Sequence, residues 1–128
     1  MIILDHNIPE GQARLLRRWR IHCRQIGFEV GRPEWDDQQE ILRYLHSAKH
    51  ATFFTRDMGF FRAKLIHKSY CIVILNVPVL ETAHYIRRLL RHVDFRTRAR
   101  RFRKVIKVSA ERIAVLEIGR RHQIGFRW

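Results

Sequence analysis

Short apolar runs alternate along this chain with segments of helical periodicity, and two of the runs end on an aspartate. The first is Ile2-Ile3-Leu4-Asp5-His6-Asn7 and the second is Ala51-Thr52-Phe53-Phe54-Thr55-Arg56-Asp57. Brief continuous apolar runs rich in β-branched and aromatic residues suit strands buried on both faces. Alternation of such strands with helices favours an α/β fold, with a mainly parallel sheet and right-handed crossovers. In an open sheet of that kind, ligands bind beyond the carboxyl ends of the strands.

The periodicity predicts a strand over residues 1–5. Pro9 suits a first helical turn and Glu10 a helix N-terminus. Leu15, Leu16, Trp19 and residues 21–23 then carry a helical apolar stripe to about residue 24, with Arg14, Arg17, Arg18 and Arg20 on the other face. Gly27 stops this helix, 28–30 reads as a short second strand, and 31–35 as a loop. Asp36 or Asp37 can cap a second helix, with Gln39 or Glu40 near its third position and Ile41, Leu42, Leu45 and Ala48 facing in. A third strand is expected at 51–55, a short helix at about 58–67 and a fourth strand at 70–75. A last helix is expected at 82–93, burying Ile86, Leu89, Leu90 and Val93.

After residue 95 the character changes. Arg96, Arg98, Arg100, Arg101, Arg103, Lys104 and Lys107 crowd together, and Ile106, Val108, Ile113, Val115 and Ile118 then alternate around Ser109-Ala110-Glu111. The second pattern predicts a β-hairpin. The expected organisation is a single domain over 1–128, with a core to about 95 and a basic extension over about 96–128.

The chain has 128 residues, 46% of them hydrophobic, enough for one real core. Its 26 Lys+Arg against 12 Asp+Glu give a formal net charge of +14, which directs attention to polyanionic or acidic partners. There are 21 arginines to 5 lysines, and the planar guanidinium fork suits phosphate. No apolar stretch approaches the roughly 20 residues of a membrane span, so no membrane partner is expected. Asp5 and His6 interrupt the first apolar run, so no secretory signal is expected either. Cys23 and Cys71, without metal-site spacing, are expected to be reduced thiols of a cytoplasmic protein.

Asp5 and Asp57, both ending apolar strands, are candidate ligands for a hard cation. Neighbouring buried carboxylates are costly unless a cation or proton compensates, and Mg²⁺ or Mn²⁺ binds through one or two carboxylates plus waters and phosphate. Asp37 and Glu40, three apart, would share a helix face and add a third group. Thr55 can hydrogen-bond a carboxylate or a metal-bound water. His46 and His50 have helical i,i+4 spacing, but no Glu follows His46 and no third ligand is evident, so a surface helix is expected there.

These motifs resemble the PIN-domain superfamily, and more closely its small bacterial PIN-like proteins. The resemblance rests on Leu4-Asp5-His6-Asn7, then the acidic helix start Asp36-Asp37-Gln38-Gln39-Glu40, then Thr55-Arg56-Asp57-Met58-Gly59-Phe60, in matching order over roughly residues 1–92. It implies a PIN-like three-layer α/β/α fold and a Mg²⁺- or Mn²⁺-dependent endoribonuclease, often the toxin of a toxin–antitoxin pair. The implied catalytic set is Asp5, Asp37, Glu40 and Asp57, with Asp5, Asp37 and Asp57 on the metal and Asn7 and Thr55 supporting them. His6 stands where the family has glutamate, and Gly59 where it has a second aspartate. Two carboxylates of the pattern are therefore absent, which implies a weaker or single metal site.

Arg56, Arg96, Arg98, Arg100, Arg101 and Arg103 are the expected phosphate contacts, with Phe95 and Phe102 for base stacking. The expected partners are RNA, an antitoxin protein and a second copy of the chain in a homodimer. The competing expectations are a PIN-like nucleic-acid-binding protein with weak or no catalysis, and an interaction protein neutralised by an acidic partner.

Overall fold

The computed structural model describes residues 1–35 and 38–128. Seven strands form one sheet: β1 (Ile2–Leu4), β2 (Arg24–Gln25), β3 (Ala51–Thr55), β4 (Tyr70–Asn76), β5 (Lys104–Ser109), β6 (Ile113–Glu117) and β7 (Ile124–Phe126). Their spatial order is β2-β1-β3-β4-β5-β6-β7, parallel from β2 to β5 and antiparallel over the last two pairings. The α-helices among the described residues are α1 (Glu10–Arg18), α2 (Gln38–Ala48), α3 (Thr82–Arg91) and α4 (Arg98–Arg101). The fold is thus α/β around a mixed sheet.

Each central strand is apolar on both sides because each side is covered. Phe53 and Phe54 are both fully buried and, as neighbours on a strand, point to opposite faces. Phe54, Val73, Leu75 and Ile106 pack with Leu16 of α1 and Ile86 and Leu89 of α3. Phe53, Ile72, Ile74 and Val105 pack with Ile41 and Leu45 of α2 and with Phe60 and Leu65. Burying one such side chain is worth roughly 1.5–3 kcal/mol, so these two clusters carry the fold.

The first helix ends about six residues earlier than its apolar stripe suggests. Arg20 takes φ 64°, its N–H bonds the Arg17 carbonyl at 2.9 Å, and Ile21 N–H bonds the Leu16 carbonyl at 3.0 Å. This is the paired-bond helix stop that usually carries glycine at the left-handed position. Residues 21–23 therefore leave the helix, and the second strand falls at Arg24–Gln25 instead of 28–30. Phe28 lies in the turn that follows and is 67% exposed. The expected helix at 58–67 is instead two 3₁₀ turns, Met58–Phe60 and Ala63–Leu65, separated by extended Arg62. Helix α3 stops at Arg91, where His92 turns extended, and Val93 faces outward.

The crossovers do not share one hand. Helix α1 and helix α3 pack on the same face and touch each other. Yet β1 to β2 steps one way across the sheet and β4 to β5 steps the other. The β4–α3–β5 crossover therefore has the opposite hand to β1–α1–β2, against the uniform right-handed expectation. Buried Gln12 accepts the Ala83 N–H at 2.9 Å and fastens α1 to the start of α3. No helix among the described residues is long and apolar enough to cross a membrane.

Candidate active site

The strand order reverses between β1 and β3, and Asp5 and Asp57 follow those two strands. That reversal is where open α/β sheets place their ligand crevice. Asp5 is 2% exposed. Its Oδ1 accepts the His6 backbone N–H at 2.8 Å and faces His6 Nδ1, also at 2.8 Å. Its Oδ2 accepts from the Thr55 hydroxyl at 2.7 Å and from Asn7 Nδ2 at 3.3 Å. A carboxylate has about four lone-pair positions; three hydrogen-bond donors address them, with His6 Nδ1 close beside Oδ1.

Thr55 ties the two aspartates together. Its Oγ1 donates to Asp5 and accepts from the Asp57 N–H at 3.0 Å and from Asn7 Nδ2 at 3.2 Å. Asn7 Oδ1 in turn accepts the Arg56 N–H at 3.1 Å. Asp57 is exposed and caps the first 3₁₀ turn, with Oδ1 accepting from Gly59 N at 2.8 Å. The structure thus brings Asp5, Asn7, Thr55 and Asp57 into one hydrogen-bonded unit.

Arg56 is half-buried beside this unit, its guanidinium donating to Thr82 Oγ1 at 3.1 Å. Gln38, at the start of α2, reaches the same loop and accepts from Arg62 at 3.3 Å. Glu40 instead lines a cavity of about 400 Å³ with Trp35, Arg43, Tyr44 and Ser47. Asp37, the remaining acidic candidate, lies outside the described residues, as does Asp36. Sequence reasoning missed Gln25, which is 2% exposed and donates to the Asp5 carbonyl at 3.1 Å and the Ile8 carbonyl at 2.7 Å. It fixes the backbone that follows β1, and no pattern in the sequence marks it.

The arginine run lies elsewhere. Arg101 is 6% exposed and turned inward, donating from Nε to Thr52 Oγ1 at 3.1 Å and from Nη1 to the Phe95 carbonyl at 2.8 Å. Thr52 sits near the start of β3, three residues before Thr55, which is about 10 Å along the strand. The run therefore belongs to the amino-terminal edge of the sheet, opposite the aspartates. Arg101 is a structural residue and not a phosphate contact. Phe95 is fully buried against Phe126, so it offers no face to a base, and half-buried Phe102 stacks on His50. Arg96, Arg98, Arg100 and Arg103 are exposed. His46 packs with His67 and Tyr70, apart from His50.

The donor set suits a hard cation in kind, being carboxylate oxygen. In number it is thin: among the described residues no group of three His, Cys, Asp or Glu is placed to hold a metal. Asp57, exposed and engaged at Oδ1, presents the more accessible oxygens, and waters would complete the shell of a Mg²⁺ or Mn²⁺ ion there. No family model matches this chain, and neither does any curated protein or solved structure.

Proposed function

We propose that this protein is a metal-dependent endoribonuclease acting at the Asp5–Thr55–Asp57 unit, on the pattern of a toxin held in check by an antitoxin. The observation that carries the reading is the single threonine hydroxyl joining a buried and an exposed aspartate at the strand-order reversal. Asp57 and Asp5 would hold Mg²⁺ or Mn²⁺, and such an ion supplies phosphate polarisation and a more acidic water. Thr55 and Asn7 orient the carboxylates. Arg56, fixed on Thr82, meets the charge of the bound phosphodiester, and Asp37 and Glu40 are the further acidic candidates that the sequence offers.

A second reading has its own support. Both Asp5 oxygens already accept hydrogen bonds within the protein, which favours a nucleic-acid-binding protein with little or no catalysis. One experiment separates the two. Purified protein is incubated with mixed RNAs in Mg²⁺, in Mn²⁺ and in chelator. Cleavage that requires the metal and disappears in Asp57→Asn supports the nuclease. Binding without cleavage in either metal supports the second reading.

A further inference from the structure

The largest feature that the acidic site leaves unused is the uncompensated charge on the opposite edge of the sheet. Helices α1 and α3 both bring arginine-rich carboxyl ends to this edge: Arg18 closes the one with Arg20 just after it, and Arg91 closes the other. The two ends meet, because the Arg87 guanidinium lies 3.6 Å over the Trp19 ring. The arginine run joins them from the other side. Met1 and Arg17 line one cavity of about 360 Å³, and Arg98 and Arg101 act electrostatically on the Met1 amine. Exposed Arg18, Arg20, Arg91, Arg96, Arg98 and Arg100 thus belong to one neighbourhood.

Three surface arginines are neutralised locally. Arg14 pairs with Glu10, Arg17 with Glu29 and Arg120 with Glu117. Among the described residues no carboxylate pairs with any of the six on this edge. Like charges concentrated in this way repel one another and strengthen attraction for a polyanion. They are also all arginine, whose fork matches phosphate oxygens in pairs.

We infer that this edge is a second RNA-docking surface, which grips backbone phosphates remote from the Asp5–Asp57 site. It includes the ends of α1 and α3 as well as Arg96, Arg98 and Arg100 of the run. The choice of RNA as the polyanion rests on the proposed function; the surface itself rests on charge and position. A chain held here reaches the carboxylates only by passing around the sheet, so the edge selects long or folded RNA.

The test measures binding of labelled single-stranded RNA across a salt series, in chelator so that no cleavage intervenes. The protein is compared with Arg18→Gln/Arg20→Gln/Arg91→Gln and with the paired control Arg14→Gln/Arg120→Gln. Each single-strand phosphate contact contributes about 0.7 to the slope of log K against log salt. The triple variant should lose about 2 units of slope, and the control should lose almost none. An unchanged slope in the triple variant, or an equal loss in the control, overturns the inference. So does a slope lost only toward polyglutamate, which would assign the edge to an acidic protein. Steep, variant-sensitive RNA binding by a protein that never cleaves RNA would keep the docking edge and remove the nuclease reading.

Discussion

The Thr55 hydroxyl donates to Asp5 Oδ2 at 2.7 Å across the gap between β1 and β3. The same oxygen accepts the Asp57 N–H, so one side chain sets the position of both aspartates. Its donor and both acceptor sites are in use, and it is fully buried. Small changes at Thr55 therefore reach every group of the candidate site.

Thr55→Val keeps the shape and removes the hydroxyl. It leaves Asp5 short of a donor and the Asp57 N–H short of an acceptor, at a cost of roughly 1–3 kcal/mol. Urea unfolding should show that loss, and RNA cleavage should fall with it. Thr55→Ser retains the bonds and should recover most of both. Equal stability of the Val and Ser variants would remove Thr55 from this role.

Gly59→Asp adds a carboxylate beside Asp57. A Cβ at Gly59 would lie 3.0 Å from Asp57 Oδ1 and 3.1 Å from Gln38 Nε2. Both are ends of side chains that can move, so the variant should fold with a loss of roughly 1 kcal/mol. Titration calorimetry should find Mg²⁺ bound weakly by the parent and more tightly by the variant, and Mn²⁺ bound better than Mg²⁺ by both. Tight Mg²⁺ binding by the parent, unchanged by the substitution, would show that the acidic set is already complete.

The strands that build the centre of the sheet are legible because burial on both faces leaves a continuous apolar run. Residues 51–55 and 70–75 are read within one residue of β3 and β4. The placement of Asp5, Thr55 and Asp57 together is legible because the apolar runs before them mark two strand ends. What stays hidden depends on contacts distant in sequence or on unusual backbone. Arg20 stops α1 without a glycine, so periodicity runs past the true end. Gln25 is one polar residue among many until it is seen beneath the Asp5 carbonyl. β7 gains its partner only from β6, and its own three residues carry little pattern. A run of arginines reads as uniformly solvated, yet Arg101 turns in, because only the fold supplies Thr52 and the Phe95 carbonyl.

That contrast within the run can be measured. Arg101→Met removes two hydrogen bonds made by a buried charged group, and each such bond is worth roughly 1.5–3 kcal/mol. The variant should unfold at clearly lower urea yet retain the salt dependence of RNA binding. Arg98→Gln, at an exposed neighbour, should do the reverse. Identical behaviour of the two would mean that the run acts as a single surface.

Cys71 gives the fold a pH dependence of known sign. It is fully buried in β4, paired in register with Thr52. Burial pushes its thiol up from 9.0 to about 12 against the opposite, smaller pull of Arg101 and Lys104. In the unfolded chain the thiol ionises near 9.0, while in the folded chain it keeps its proton until about 12. Between those values the native state binds more protons, so stability falls as pH rises; below them the contribution is fully present. The slope approaches 1.4 kcal/mol per pH unit, or roughly 2–3 kcal/mol between pH 9 and 11. Tyr70 is also raised, by its own burial, and adds a decline of the same sign at higher pH. The useful quantity is therefore the difference between the parent and Cys71→Ala. The variant should be less stable at neutral pH, because it leaves a cavity, but its stability should decline less steeply above pH 9. Urea midpoints taken at intervals from pH 7 to 11 test this. Parallel curves for the two proteins would mean that the Cys71 thiol titrates alike in the folded and unfolded states, and that its burial carries no electrostatic cost.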